Sequence, residues 1–130
     1  MKSVGIVTFH RANNYGVLLQ AYATASFINA NGYNAQIVDY TNSYEQRIQK
    51  WAYKEGGRAI GYVTSFLKNV LLKKQYYFKK AFGNIDSLYP LSTKKYTSRD
   101  QMDSVEYDVL VSGSDQIWNP TITDGIDDVF

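Results

Sequence analysis

The chain has no cysteine and a single histidine, and these absences exclude several kinds of chemistry. Without cysteine it forms neither a disulfide framework nor a thiolate metal site, and one histidine makes a zinc site only if several carboxylates converge on it. We therefore expect no metal site. The sequence also lacks any run of about 18 apolar residues, and any basic segment followed by an apolar one, so it shows no membrane-spanning or secretion signal. A cytoplasmic location is the simplest expectation.

What is present is typical of one globular domain. The 130 residues are 45% hydrophobic and 20% charged, an ordinary composition for a chain within the usual size range of a domain. Tyrosine is abundant, with 12 residues, and its rigid ring with a polar tip suits contacts with sugars or partner proteins. We therefore expect residues 1–130 to form a single domain.

Charge is unevenly distributed along the chain, although the formal net charge is only +2. Residues 44–80 hold nine Lys and Arg against two Glu, a formal charge of +7, whereas residues 81–130 hold three against nine acids, a formal charge of −6. Such a basic segment is typical either of a surface for anionic partners or of a solvated helix face. No nucleic-acid-binding module is recognisable around it. We expect no nucleic-acid partner, while peripheral contact with a membrane surface is compatible with the charge.

The first 40 residues read as a strand, a helix and a second strand. Residues 3–9, SVGIVTF, have the length and apolar character of a buried strand. Residues 17–31 repeat apolar side chains at helical spacing, and Gly32 follows where a left-handed helix cap is favoured. Residues 35–40, AQIVDY, then read as a strand again. The connections are short enough for a right-handed βαβ unit, which opens an α/β fold.

After residue 40 the sequence pattern is strong in some segments and weak in others. The pattern is weak over residues 41–57, but from residue 58 to residue 81 apolar positions return at helical spacing and predict a long helix that covers the sheet. Ser98 is a suitable N-cap for a short helix through residue 104, and residues 107–113, YDVLVSG, form the next buried strand. The fold class is therefore α/β, a Rossmann-like parallel sheet flanked by helices.

The loop after the first strand, residues 10–16, is one of two loops with more polar groups than a connection needs. Asn13 and Asn14 are able to bind a ligand, and the backbone N–H groups at the start of the helix favour an anion. The same asparagines also suit a tight turn that Gly16 permits, and both interpretations stay open. The loop matches neither the glycine pattern of dinucleotide-binding folds nor the phosphate-binding P-loop.

The second polar loop follows the last predicted strand in VSGSDQIWNP, residues 111–120. Gly113 allows a ligand to approach the backbone closely. An indole such as Trp118 stacks on sugar rings, and carboxylate and amide groups bind hydroxyls. The segment does not match a nucleophile elbow, which requires glycine where Gln116 stands. A triad of Ser114, His10 and an aspartate is conceivable, but His10 is better interpreted as a hydrogen-bonding loop residue.

Asp39, at the end of the second strand, is a further candidate in the same part of the sheet. An acidic residue at such a position holds a ribose hydroxyl in dinucleotide-binding folds, so a ribose or sugar hydroxyl is one possible ligand. An aspartate that caps a turn is the more ordinary interpretation.

Two segments, FHRANNYGVLLQAYA and YDVLVSGSDQIWNP, together resemble the polysaccharide pyruvyl transferase family. The second segment is the more specific, because the pattern of a strand followed by GSDQ-x-WNP is distinctive. The resemblance spans essentially the whole chain. It implies the N-terminal half of a two-domain enzyme of the GT-B type, in which two Rossmann-like halves face a cleft.

The resemblance also implies a reaction and a set of site residues. Family members transfer pyruvate from phosphoenolpyruvate to two hydroxyls of a sugar, as a cyclic ketal, in the synthesis of exopolysaccharides and cell-surface polysaccharides. Asp115 would be the catalytic base or hydroxyl ligand. Arg11 would help to hold an anion, with less direct support from the motifs. The substrate-binding candidates are Arg11, Asn13, Asn14, Gly16, Gly113, Ser114, Gln116, Trp118 and Asn119.

Family members run to more than twice this length, and their donor-holding groups are expected in the second half. We therefore expect this chain to be an N-terminal fragment that is inactive alone and binds phosphoenolpyruvate only with the missing half. No cofactor is expected, and the acceptor is a sugar or glycan, free or carried by a lipid or nucleotide. An unfinished sheet edge and exposed tyrosines favour a homo-oligomer. The alternative is a complete, non-catalytic α/β module that binds a saccharide or a nucleotide.

Overall fold

A four-stranded, wholly parallel sheet forms the centre of the chain in this computed structural model. The strands are β1 (Ser3–Val7), β2 (Asn34–Tyr40), β3 (Leu91–Tyr96) and β4 (Val109–Ser112), and their order across the sheet is β3-β2-β1-β4. The structure describes residues 1–11, 14–48, 63–64, 66–67, 70, 87–113, 115–123 and 129, and at residues 44, 47, 48, 115, 116, 122 and 123 it describes the backbone alone. The predicted α/β class is confirmed.

Helices connect these strands or follow them. They are α1 (Tyr15–Ala30), α2 (Ser43–Ile48), α3 (Arg99–Met102), a 3-10 turn (Asp115–Trp118) and α4 (Pro120–Thr123). Helix α1 begins after Asn14, whose side-chain oxygen accepts from the Gly16 N–H at 2.9 Å, and it is followed by Gly32 with a φ of +84°. Only glycine adopts that backbone conformation without strain, which is why the helix can turn back toward β2.

The two faces of the sheet carry separate apolar clusters. One face of β1 and β2 packs Val4, Ile6 and Ile37 against Ala21 and Ala25 of α1. The small alanines let the helix lie close to the sheet, and the aliphatic side chains of the strands fill the space between them. The opposite face is lined by a second cluster, formed by Val7, Val38, Tyr40 and Tyr96. Burial on both faces explains why β1 and β2 are almost continuously apolar.

Side-chain hydrogen bonds fix the start of β4 against β1. The N–H and the hydroxyl of Ser3 donate to Asp108 Oδ2 at 2.7 and 2.8 Å, and the Asp108 N–H donates to Ser3 Oγ at 3.1 Å. Val4 then pairs with Val109, and the register continues to Val7 and Ser112. These hydrogen bonds between Ser3 and Asp108 specify which residue of β4 lies opposite each residue of β1. If β4 moved by one residue along β1, its side chains would point to the opposite faces of the sheet.

Some elements differ from those predicted from the sequence. Strand β3 and helix α2 were not anticipated. Most of the predicted helix from 58 to 81 lies outside the described residues, although the residues described between 63 and 70 are helical. Its apolar stripe was expected to be buried against the sheet, and this is wrong for Val63, Leu67 and Val70, which are between 42% and 57% exposed. Helical periodicity identifies an apolar face but does not show what covers it.

Gly5, in the middle of β1, is required by close packing. A Cβ at this position would lie 2.6 Å from Tyr107 Cδ2 and 2.8 Å from Leu110 Cδ2, and the Tyr107 ring is held by its hydroxyl, which donates to Gln36 Oε1 at 3.1 Å. We expect Gly5→Ala to lower the free energy of unfolding by about 1–3 kcal/mol, as overpacked cores do. Urea denaturation monitored by tryptophan fluorescence measures the change.

The matched control for this prediction is Gly16→Ala in the first turn of α1. Its new Cβ would meet Asn14 Oδ1 at 3.4 Å, which is an ordinary contact, and alanine favours a helix. We expect the control to be as stable as the original chain or slightly more so. Equal stabilities for Gly5→Ala and the original chain would show that the Tyr107 ring moves aside freely.

Candidate functional site

The two polar loops predicted from the sequence leave neighbouring strands at one edge of the sheet. The chain runs from β1 through α1 to β2 on one side of β1, while β4 pairs with the other side of β1. This is a topological switch point, where parallel sheets open a crevice at the carboxyl ends of their strands. The Gly113 N–H donates to the Val7 carbonyl oxygen at 3.2 Å, so the loop after β4 starts beside the loop after β1.

A buried ionic cluster lies where β1 and β2 end. His10 is almost completely buried, with Nδ1 at 3.0 Å from the Thr8 carbonyl oxygen and Nε2 at 3.0 Å from Asp39 Oδ1. A carbonyl and a carboxylate oxygen only accept hydrogen bonds, so a ring nitrogen of His10 that carries a proton donates to its partner. The prediction that His10 is a hydrogen-bonding loop residue is confirmed.

Arg11 completes the cluster from the other side of the same carboxylate. Its Nε donates to Asp39 Oδ1 at 2.8 Å and its Nη2 donates to Asp39 Oδ2 at 2.5 Å, which is the bidentate arrangement that favours arginine. His10 and Arg11, adjacent in the loop after β1, thus both contact the Asp39 carboxylate. In the structure Asp39 is therefore an ion-pair partner and not a turn cap, and its contact with a sugar hydroxyl stays a prediction.

The electrostatics of Asp39 follow from these contacts. Burial raises the pKa of the Asp39 carboxyl, but the hydrogen bonds and charges of His10 and Arg11 outweigh burial and hold the pKa well below its ordinary value. Two further contacts fix the surroundings: the Asp39 N–H donates to Ser92 Oγ at 2.9 Å, and the Tyr89 hydroxyl donates to the His10 carbonyl oxygen at 3.1 Å. The carboxylate is thus ionised and held by His10 and Arg11, while its backbone is fixed by Ser92 of β3.

Within the first loop the structure assigns a local role to Asn14. Its side-chain oxygen caps α1 through the Gly16 N–H, which matches the turn interpretation of this residue. Asn13 lies outside the described residues, so its predicted role in ligand binding stays a prediction. Arg11 and Gly16 flank the capped turn, and Arg11 is held in place by Asp39.

Gln20 is a polar side chain at this edge that the sequence analysis missed. The Thr8 hydroxyl lies 3.4 Å from Gln20 Oε1, and Gln20 Nε2 lies 3.3 Å from the position that a Cβ of Gly113 would take. The amide of α1 therefore lies between the end of β1 and the start of the loop after β4. Its spacing after the NNYG turn places it one and a half helical turns into α1, facing the crevice.

The loop after β4 turns at once into the 3-10 turn and α4. Asp115 and Gln116 belong to the 3-10 turn, but their side chains and the whole of Ser114 lie outside the described residues, so their predicted roles stay predictions. Ile117 is buried and anchors the turn, whereas Trp118 is 72% exposed. The indole is available to stack on a ligand from solvent.

Asn119 has a local role comparable to that of Asn14. Its Oδ1 accepts from the Thr121 N–H at 3.1 Å and from the Thr121 hydroxyl at 2.6 Å, which caps α4 as Pro120 begins it. A direct contact from Asn119 to a substrate therefore stays a prediction, and the observed contact is structural.

A group of buried polar residues at the end of β2 was also missed by the sequence analysis. Thr41 is 0% exposed, and Asn42 and Glu45 are each 3% exposed. The side-chain oxygen of Asn42 accepts from the Glu45 N–H at 2.8 Å and so begins α2. Thr41 Oγ1 and Asn42 Nδ2 have no hydrogen-bond partner among the residues that the structure describes. Helix α2, which follows Thr41 and Asn42, contacts α4, the helix after the turn that carries Trp118.

Metal binding and membrane insertion find no support in the described part of the chain. We found no group of three or more His, Cys, Asp and Glu side chains there that could hold a metal ion. Nor do the described segments include a helix with the length and apolar character needed to cross a bilayer. The polar groups at the carboxyl edge are suited to hydrogen bonding and to holding an anion.

Comparisons of the chain with models of protein families, with curated proteins and with solved structures found no match. Similarity to a known protein therefore contributes nothing to the choice of function. The resemblance of the two motifs to the pyruvyl transferases stays a prediction from the residues. A proposal for the function therefore rests on that resemblance and on the geometry of the sheet edge.

Proposed function

We propose that this chain is the N-terminal, acceptor-side domain of a polysaccharide pyruvyl transferase-like enzyme. The enzyme transfers pyruvate from phosphoenolpyruvate to a sugar, as a ketal, in the synthesis of exopolysaccharide or cell-surface polysaccharide. One observation carries the proposal: the two motifs that resemble the family end neighbouring parallel strands, β1 and β4, at a switch point. Two segments nearly 100 residues apart in sequence thus face one crevice.

The reaction sets requirements that the edge of the sheet meets in part. A proton must be added to the enol carbon of phosphoenolpyruvate, two sugar hydroxyls must lose protons as they attack the adjacent carbon, and phosphate must leave. Asp115 is the base or hydroxyl ligand in this proposal. Arg11, the residue that the resemblance assigns to an anion, lies at this edge and is paired with Asp39. The groups that hold the donor's phosphate and carboxylate come from a second, C-terminal domain.

The test is a phosphate-release assay on the protein as its source cell makes it. Phosphoenolpyruvate is supplied with a panel of glycan acceptors, free and lipid- or nucleotide-linked, and pyruvylated product is identified by its added mass. We expect phosphate release only when an acceptor is present. Folded protein that releases no phosphate with any acceptor of the panel would contradict the proposal.

A second function, saccharide binding without reaction, is favoured by the exposure of Trp118. An exposed indole beside polar groups is the arrangement that stacks on a sugar ring. We expect Trp118→Ala to weaken binding of a neutral oligosaccharide at least about tenfold, since aromatic contacts often carry most of the binding energy. Isothermal titration calorimetry measures the affinity.

The matched control for Trp118→Ala is Tyr33→Ala. Tyr33 is another exposed aromatic residue, but it precedes β2 at the opposite edge of the sheet. Affinity unchanged in the control and lost in Trp118→Ala places the sugar at the carboxyl edge. An equal loss in both variants would remove Trp118 from the site. Binding without phosphate release would favour the non-catalytic function over the transferase.

A further inference from the structure

The outer face of α1, the side turned away from the sheet, is apolar and carries no charge. Residues 12–38 contain no Asp, Glu, Lys or Arg. The outer face exposes four large side chains, Tyr15 (52%), Leu19 (60%), Tyr22 (44%) and Phe27 (70%). A surface helix of a soluble protein normally has a polar outer face, and a contiguous exposed apolar surface is typical of an interaction site.

The residue types on the outer face of α1 indicate a protein partner. Nucleic acids and anionic membranes are bound through Lys and Arg, and this face has neither. Aromatic side chains are enriched and charged side chains are depleted at the centre of protein–protein interfaces. The face has both of these properties.

The order of large and small side chains along the face suits a second copy of the same chain. Leu19 and Phe27 lie four residues on either side of Ala23, in one row of the helix surface, and all three are exposed. If two α1 helices pack antiparallel about a two-fold axis at Ala23, Leu19 of each copy lies opposite Phe27 of the other. The small Ala23 meets its own copy and lets the helices approach closely. Because the face has no charge, this symmetric contact brings no like charges together.

The exposed area of the face is sufficient for a reversible dimer. A large side chain that is about half exposed offers on the order of 100 Å², so the four large residues of both copies together bury on the order of 800 Å². Small exposed residues between them, such as Ala23 and Ala30, add to this area. Interfaces that bury about 1,000 Å² in total are typical of weak, reversible association. We therefore expect a dissociation constant in the micromolar range.

We propose that the outer face of α1 is the interface of a homodimer, in which two α1 helices pack antiparallel about a two-fold axis at Ala23. The inference does not depend on the proposed transferase. Since α1 begins at the carboxyl edge of the sheet, antiparallel helices place the carboxyl edges of the two copies at opposite ends of the dimer. Both edges then stay outside the interface.

Two charge substitutions test this interface. Leu19→Lys and Phe27→Glu each place one unpaired charge in an apolar contact, and we expect each to raise the Kd of the dimer at least about tenfold. When both substitutions are in the same chain, the opposite charges face each other across the axis. The double variant should therefore dimerise more tightly than either single variant. Sedimentation velocity of the protein in its natural form, from low micromolar to several hundred micromolar concentration, measures the Kd.

A disulfide test locates the two-fold axis. The 130 residues contain no cysteine, so Ala23→Cys introduces a single thiol. We expect mild oxidation to link two copies of this variant into a dimer that a reductant separates. Ala30→Cys is the matched control, because Ala30 is exposed on the same helix. Its two copies would lie about 21 Å apart along the helices, which is too far for a disulfide.

A protein that stays monomeric at every concentration would overturn the proposal and leave the outer face of α1 to a different protein or to another domain. A dimer with the same Kd in Leu19→Lys would also overturn it, since the interface would then lie elsewhere. A double variant that dimerises more weakly than both single variants would reject the pairing of residues 19 and 27. Equal disulfide formation in Ala23→Cys and Ala30→Cys would reject the axis at Ala23.

Discussion

Replacing Asp39 by asparagine is expected to lower the free energy of unfolding by about 3 kcal/mol or more. Asp39 holds the Arg11 guanidinium and the His10 ring after β1, and His10 is almost completely buried. Removing one member of a buried ionic cluster leaves the remaining charge without compensation, which typically costs about 3–5 kcal/mol. Urea denaturation at neutral pH, followed by fluorescence, measures the loss.

The control for Asp39→Asn is Asp103→Asn. Asp103 forms an exposed ion pair with Arg99 at 3.2 Å, within one turn of helix α3. Such surface pairs contribute little, so we expect a change within about 0.5 kcal/mol. A loss in Asp39→Asn no larger than that of the control would show that water reaches the cluster and screens it.

The original chain and Asp39→Asn should also differ in how their stability changes at acidic pH. Because the pKa of Asp39 is lower in the folded chain than its ordinary value of 3.8, its stabilising contribution is complete above that value. The contribution is lost as the pH falls below 3.8 toward the folded pKa, since the unfolded chain then binds the proton more readily. The original chain should therefore lose stability more steeply than Asp39→Asn below about pH 4. Asp108, whose pKa is lowered by its hydrogen bonds with Ser3, contributes equally in both proteins and cancels from the comparison.

Replacing Asp115 by alanine is expected to reduce the kcat for phosphate release at least about 100-fold, the usual contribution of a general base. In the proposed reaction this carboxylate takes a proton from the attacking sugar hydroxyl, a task that no alanine performs. Its place in the turn after β4 puts it at the crevice edge of the sheet. Steady-state assays with phosphoenolpyruvate and glycan, with the protein in its natural form, measure kcat and KM separately.

Two control measurements show whether the lost rate of Asp115→Ala comes from the reaction itself. The thermal midpoint of Asp115→Ala should match that of the original protein, which excludes unfolding as the cause of the lost rate. The control Asp100→Ala, at an exposed residue in the first turn of α3, should retain full activity. A rate that is undiminished in Asp115→Ala removes this residue from the chemistry.

The part of the fold that could be predicted from the sequence is the part with strong periodicity. β1 and β2 are buried enough to read as apolar runs, and α1 repeats alanine and leucine at helical spacing. β4 also reads as an apolar run, but its predicted burial is wrong, since Val109 and Leu110 are 43% and 55% exposed. Strand β3, LSTKKY, was missed because it is an edge strand with exposed lysines, a common protection of sheet edges that also hides the apolar pattern. Helix α2, with six residues, is too short to show a period.

The candidate site was predictable only in its local parts. The positions of the two loops follow from the strands that precede them, and asparagine before a helix start is a readable cap signal, at Asn14 as at Asn119. The cluster around Asp39 was not predictable, because its residues come from β2 and from the loop after β1, and no local pattern joins them. Nor does any sequence signal mark Thr41 and Asn42 as buried, since threonine and asparagine after a strand usually indicate an exposed turn.

The position of β1 inside the sheet affects the synthesis of the protein. β1 lies inside the sheet, and one of its edges pairs with β4, more than 100 residues later in the chain, with Val4 opposite Val109. Until β4 has been synthesised, this apolar edge of β1 lacks its partner. Pairing between such distant segments is slow, and exposed edges favour aggregation. Aggregation during synthesis is therefore expected to depend on how long this edge of β1 waits for β4.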